Sequence, residues 1–260
     1  MTTWILLRGL TRESRHWGRF PDLLRRELGG AAIHAPDLPG NGRLHAAASP
    51  PSVAGLAAQC RRGLEQAGVA PPYRLLALSL GAMVAVDWSV RHPEEVAGCV
   101  LINTSLRPFS PFYQRLRPAS YLPLLGVLLP GVDAEAREEA ILRLTSRQAG
   151  DGAGVLADWV AYRRQCPTSR ANALRQLVAA LHYRAPAVGP PVPILVLASR
   201  GDALVDPRCS RRLASHWQTA FAEHPTAGHD LPLDDGPWVA REIGRWLQAE
   251  GRHKNVMSEG

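Results

Sequence analysis

Leu75-Leu76-Ala77-Leu78-Ser79-Leu80-Gly81-Ala82 is the stretch from which the fold is read. An apolar run from Tyr73 to Leu78 stops at a single serine, and Ala82-Met83-Val84-Ala85-Val86-Asp87-Trp88 continues with helical character. The pattern predicts a strand, a tight turn with Ser79 at its apex, and a helix. Such a turn is strained, so the residues two before and two after the serine must be small. Here they are Ala77 and Gly81. The turn lifts the serine hydroxyl off the sheet. It also puts the Leu80 N–H at the positive end of the new helix, where negative charge is stabilised.

Outward from that stretch, strands and helices alternate. Trp4-Ile5-Leu6-Leu7 reads as a buried strand, and Phe20 to Leu28 as a helix stopped by Gly29-Gly30. Ala31 to Pro36 reads as a short strand, and Asp37-Leu38-Pro39-Gly40-Asn41-Gly42 is a dense turn cluster. Ser52 to Ala67 reads as a helix with Ser52 as its N-cap. Val96 to Asn103 is another buried strand, following the stop at His92-Pro93. This alternation implies a parallel sheet covered on both faces. It breaks between Leu106 and Pro190, where Tyr113–Leu129, Asp133–Thr145, Val155–Arg164 and Ser169–Tyr183 read as helices. It then resumes with a strand at Pro193–Ala198, a helix starting at Ser210 and a weaker strand at Thr219–His224. Last comes an amphipathic helix, Trp238–Ala249, with Val239, Ile243, Trp246 and Leu247 on one side. The chain is expected to form a core of residues 1–105 and 191–250. The helical insertion is 106–190, and the polar tail 251–260 is expected to be flexible.

A serine hydroxyl is a poor nucleophile near neutral pH and needs a base, itself oriented by an acid. After Ser79 the chain offers Ser199-Arg200-Gly201-Asp202-Ala203-Leu204-Val205-Asp206-Pro207 beyond one late strand, and Thr226-Ala227-Gly228-His229 beyond the next. Ligands of open α/β sheets sit beyond the carboxyl ends of strands, where all of these fall. Ser79 is the expected nucleophile, His229 the base and Asp202 the orienting carboxylate. Asp206 is the fallback; Asp230 and Asp234 are further competitors. The other eight histidines show no comparable placement.

These segments together resemble the α/β-hydrolase superfamily. Leu6-Leu7-Arg8-Gly9, the Asp37–Gly42 turn, Ser79-Leu80-Gly81, and Asp202 with Gly228-His229 occur in the family's order. The resemblance implies the fold class: an α/β-hydrolase with a short, mostly parallel sheet of about six strands flanked by helices. It makes the insertion a helical cap. It also implies an oxyanion hole built from the N–H groups of Leu80 and of Leu10, in the loop after the first strand. The family often has His-Gly in that loop, where this chain has Arg8-Gly9. The implied reaction is hydrolysis of a carboxylic ester or thioester through an acyl-enzyme, with neither a cofactor nor a metal. A lyase or C–C bond hydrolase with the same residues is the alternative, as is a non-catalytic binding protein of the same fold. The cap's Phe109, Phe112, Tyr113, Leu116, Tyr121, Leu122 and Leu125 are expected to line an apolar acyl pocket. The chain is also similar to the pimeloyl-acyl-carrier-protein methyl ester carboxylesterases, which carry Ser-Leu-Gly at the elbow. In those enzymes cap arginines receive an acidic carrier protein. Here Arg143, Arg147, Arg163, Arg164, Arg170 and Arg175 form either such a face or a solvated one.

Composition narrows the classes. At 260 residues the chain is of single-domain size, and it carries a formal charge of +7. Residues 106–190 hold 11 Arg against 6 Asp plus Glu, so that segment contributes most of the excess. Lys254 is the sole lysine. There is no basic run with interleaved aromatics, so nucleic acid is not an expected partner. No apolar stretch has transmembrane length. Cys60, Cys99, Cys166 and Cys209 lack metal-ligand spacing and are read as reduced thiols, which fits a cytoplasmic protein.

Overall fold

Six short segments, four of them mostly apolar, become six parallel strands in the computed structural model, which describes residues 2–129, 131–147 and 152–258. They are β1 (Thr3–Leu7), β2 (Ile33–His34), β3 (Tyr73–Leu78), β4 (Val96–Ile102), β5 (Ile194–Ser199) and β6 (Ala220–His224), in the spatial order β2-β1-β3-β4-β5-β6. Side chains alternate between the two faces of a strand. Ile5, Leu7, Leu75, Ala77, Leu101 and Val196 therefore enter one core, and Trp4, Leu6, Leu76, Leu78, Val100 and Leu197 the other. Helices α2 (Val53–Gln66) and α3 (Leu80–Arg91), with Leu213 and Ala214 of α9 (Arg208–Trp217), close the first face. The second is closed by α1 (Phe20–Glu27) and α10 (Leu231–Ser258). Ser52 caps α2 by accepting the Gly55 N–H.

Helix α10 is interrupted at Asp235 (φ −148°, ψ 71°), whose carboxylate caps the following segment by accepting the Trp238 N–H. The helix runs through Ser258, into the polar stretch that begins at Gly251. Residues 259–260 lie outside the described residues.

Among the described residues, five α-helices stand between β4 and β5: α4 (Phe112–Arg115), α5 (Tyr121–Leu128), α6 (Ala134–Thr145), α7 (Gly152–Gln165) and α8 (Arg170–His182). The single helix expected over Tyr113–Leu129 is broken, because Pro118 disfavours a helical conformation at Arg117, which is extended. The acyl-pocket expectation also needs correction. Phe112, Tyr113, Leu122 and Leu125 are exposed, and Phe109 packs on His216 and Trp217 at the core. An eight-residue helix that is apolar all round cannot bury every side against its neighbours.

These helices are fastened to the loop after β1. Arg12 pairs with Glu138 of α6 at 2.5 Å, and Arg163 of α7 holds the same carboxylate. Gln176 of α8 accepts the Thr11 N–H at 2.8 Å and donates to Asn41 and Ser49. The Asp37–Gly42 turn serves as a brace here. Asp37 accepts the Ser14 and Arg43 N–H groups, and Asn41 donates to the Arg12 carbonyl.

Candidate active site

Ser79 stands between β3 and α3 with φ 57° and ψ −115°, a region that costs a non-glycine residue about 1–3 kcal/mol. The surroundings hold it there. Its N–H extends the ladder to the Ile102 carbonyl at 3.0 Å, and its own carbonyl accepts from Thr104 Oγ1 at 3.2 Å. Gly9 runs directly against it, since a Cβ on Gly9 would lie 3.3 Å from Ser79 Cβ. On the next turn Gly81 abuts the Leu7 and Arg8 carbonyls. Any side chain at position 81 would collide with the end of β1, which is the physical need for a small residue there.

Asp202 follows β5 and His229 follows β6. His229 Nδ1 lies 2.7 Å from Asp202 Oδ2, with both side chains buried. The other Asp202 oxygen accepts the Leu204 and Val205 N–H groups at 2.8 and 2.9 Å, which fixes the carboxylate plane. With Asp202 as acceptor, the Nδ1 proton is the one donated, and Nε2 keeps its lone pair. Burial lowers the affinity of His229 for a second proton, but the attraction and hydrogen bond of Asp202 outweigh it, so its pKa is raised. Asp206 is engaged elsewhere, in an ion pair with Arg208 at 2.6 Å. Asp234 accepts from Gly228 N–H and Ser146 Oγ, and Asp230 from Arg8. Of the four acids weighed from the sequence, Asp202 alone meets His229 through its side chain.

Asn103 is a residue that sequence reasoning missed. It directly follows β4, at φ 45°, and is buried. Its Nδ2 reaches the carbonyls of Gly228 and His229 at 3.2 and 2.8 Å and the Ser199 hydroxyl at 2.9 Å, and its Oδ1 accepts the Ser199 N–H. Asn103 therefore holds the histidine loop while its neighbour Thr104 holds the serine. The available signal was a polar residue closing an otherwise apolar strand, of a type that tolerates positive φ.

Leu10 is half-buried in the loop after β1, and Leu80 is the first residue of α3, whose N–H has no partner within the helix. The six insertion arginines singled out from the sequence behave unequally. Arg163 is turned inward to Glu138, Arg143 pairs with Glu139, and Arg147 Nε donates to the Gly201 carbonyl. Arg164, Arg170 and Arg175 are exposed. Among the described residues, His92, Glu94 and Glu95 could approach one ion together. They lie at the opposite end of α3 from Ser79, and Glu95 is already held by Arg61 and Trp88. No helix among the described residues is long and apolar enough to cross a membrane.

A strained serine at a strand–helix turn, with a buried His–Asp pair beyond later strands of one parallel sheet, defines an α/β-hydrolase arrangement. The family model described as "Alpha/beta hydrolase family" matches residues 4–242, and the chain belongs to that family. No curated protein matches it. Among solved structures it is similar to the enol-lactonase from Burkholderia xenovorans LB400 (18% identity, TM-score 0.77, 95% of this chain and 91% of that one). It is also similar to a thermophilic esterase from Thermogutta terrifontis (21%, TM-score 0.71, 96% and 90%). A third is the esterase RhEst1 from Rhodococcus sp. ECU1013 (22%, TM-score 0.71, 95% and 90%). At these identities the likeness concerns the fold.

Proposed function

We propose that this chain is a serine hydrolase that cleaves a carboxylic ester through an acyl-enzyme on Ser79. The observation that carries the reading is the combination of Ser79 at φ 57° with the buried 2.7 Å contact between His229 and Asp202. Ser79 Oγ attacks the ester carbonyl carbon as His229 Nε2 takes its proton. The tetrahedral oxyanion is held by the Leu10 and Leu80 N–H groups. It collapses as His229 protonates the departing alkoxide, leaving an acyl ester on Ser79 and a free alcohol. Water, deprotonated by His229, then attacks that ester and releases the carboxylic acid with Ser79 restored. Asp202 keeps the imidazole in the required tautomer and stabilises the imidazolium. The helices of residues 106–190 act as a cap, joined to the site where Thr145 accepts the Asp230 N–H and Gln176 accepts that of Thr11.

The test is hydrolysis of p-nitrophenyl esters of graded acyl length, with labelling by a fluorophosphonate, on the wild type beside Ser79→Ala. Turnover and labelling that vanish in the variant are expected. A folded wild type that neither turns over nor labels at Ser79 sinks the reading. The non-catalytic binding protein then takes its place.

A further inference from the structure

Two dipeptides bridge the two halves of the site. One is Asn103-Thr104, described above. The other is Arg8-Gly9. Gly9 lies against Ser79, while Arg8 forms a two-pronged ion pair with Asp230, the residue after His229. Nη1 donates to Oδ1 at 3.1 Å and Nη2 to Oδ2 at 2.5 Å. Both side chains are almost completely buried, and the guanidinium carbon sits 4.8 Å from the centre of the Trp17 ring. An isolated buried ion pair is a poor source of stability compared with a packed apolar pair of the same volume. Its distinguishing property is where it lies. A planar fork joins the loop that carries Leu10 to the loop that carries His229, and a fork fixes orientation as well as distance.

We propose that the Arg8–Asp230 pair is a positioning device, setting the loop of the base against the loop of the oxyanion donor so that both address one carbonyl carbon. This rests on the serine-hydrolase reading. Neither residue touches the reacting atoms. The charges acting on His229 are Asp202 from the loop after β5, Asp230 beside it in sequence, and Arg8 from the loop after β1. Asp234 lies behind Gly228. Asp230 favours the imidazolium and Arg8 disfavours it, so removing one charge unmasks the other.

The experiment is the second-order rate of Ser79 labelling by a fluorophosphonate across pH, on the full chain, with a thermal melt of each variant. Arg8→Met/Asp230→Leu removes both charges and leaves none unpaired. It is expected to fold and to label about 10–100-fold more slowly, the scale of misplacing a reacting group by an ångström. Arg8→Lys keeps the charge but loses the fork; its rate should fall with the acid limb unmoved. In Arg8→Met the acid limb should move to higher pH, and in Asp230→Asn to lower pH. A double variant that labels like the wild type overturns the proposal. If the double variant does not fold, a wild-type rate in Arg8→Lys overturns it equally. A wild type that does not label at all refutes the hydrolase reading instead, so the two failures are distinct.

Discussion

Gly81→Ala tests how closely the end of β1 is packed on the serine turn. Gly81 lies in α3 with ordinary helical dihedrals, so alanine is not disfavoured by conformation there. The obstacle is space. A methyl group would lie 2.7 Å from the Arg8 carbonyl oxygen and closer still to that of Leu7, whereas ordinary contact begins at 3.4 Å. Helix α3 cannot retreat, since Leu80 through Ser89 are all buried. The end of β1 and the loop through Leu10 must give way, by about 1 Å, a displacement that can cost on the order of 100-fold in rate. Overpacking of this kind destabilises by about 1–3 kcal/mol. In a chain of this size that lowers the melting temperature by roughly 2–10 °C. The assay pairs a thermal melt with the rate of fluorophosphonate labelling at Ser79. A larger loss in labelling than in stability is expected, because the moved segment carries Leu10, the proposed oxyanion donor. A variant that melts and labels like the wild type would refute the argument, showing that β1 yields without disturbing the site.

The pH profile follows from His229. Its pKa is raised, so the imidazolium persists to higher pH than in a free imidazole; since the neutral base is required, activity falls as pH drops through that raised value. The acid limb of labelling is therefore expected above about 6.5, and a limb below that counts against His229 as the base. Asn103→Leu removes the strut to the histidine loop and leaves the His229 carbonyl and the Ser199 N–H without their partner. Each such group costs about 1–3 kcal/mol. A lower melting temperature and labelling slowed by at least about tenfold are expected, and an unchanged labelling rate would show that the loop is held by its other contacts.

The parts of the site legible in the sequence were those with a local signature. A buried strand announces itself by an apolar run, a tight turn by small residues about its apex, and a parallel sheet by strands separated by helices. Ser79, Asp202 and His229 each lie just after such a strand, so a one-dimensional pattern was enough to nominate them. The insertion was also visible, as the stretch where strands cease. The faces of its helices were not. Leu122 and Leu125 carry the same apolar character as core residues, and nothing local distinguishes an outward face from an inward one on so short a helix.

Tertiary structure decided which polar groups meet. Asp202 and Asp206 are both loop acids in the sequence, the first preferred for its place soon after a strand and the second kept as the fallback. The structure gives the first to His229 and the second to Arg208. Asn103 and Ser199 are separated by 96 residues, and Arg8 and Asp230 by 222. No periodicity connects positions so far apart, because hydrogen bonds and ion pairs depend on distance and angle in space, which only the assembled sheet with its packed loops defines. The serine turn and its fold were thus written locally in the chain. The struts that tie the loops of Ser79 and His229 together exist only once the chain has folded.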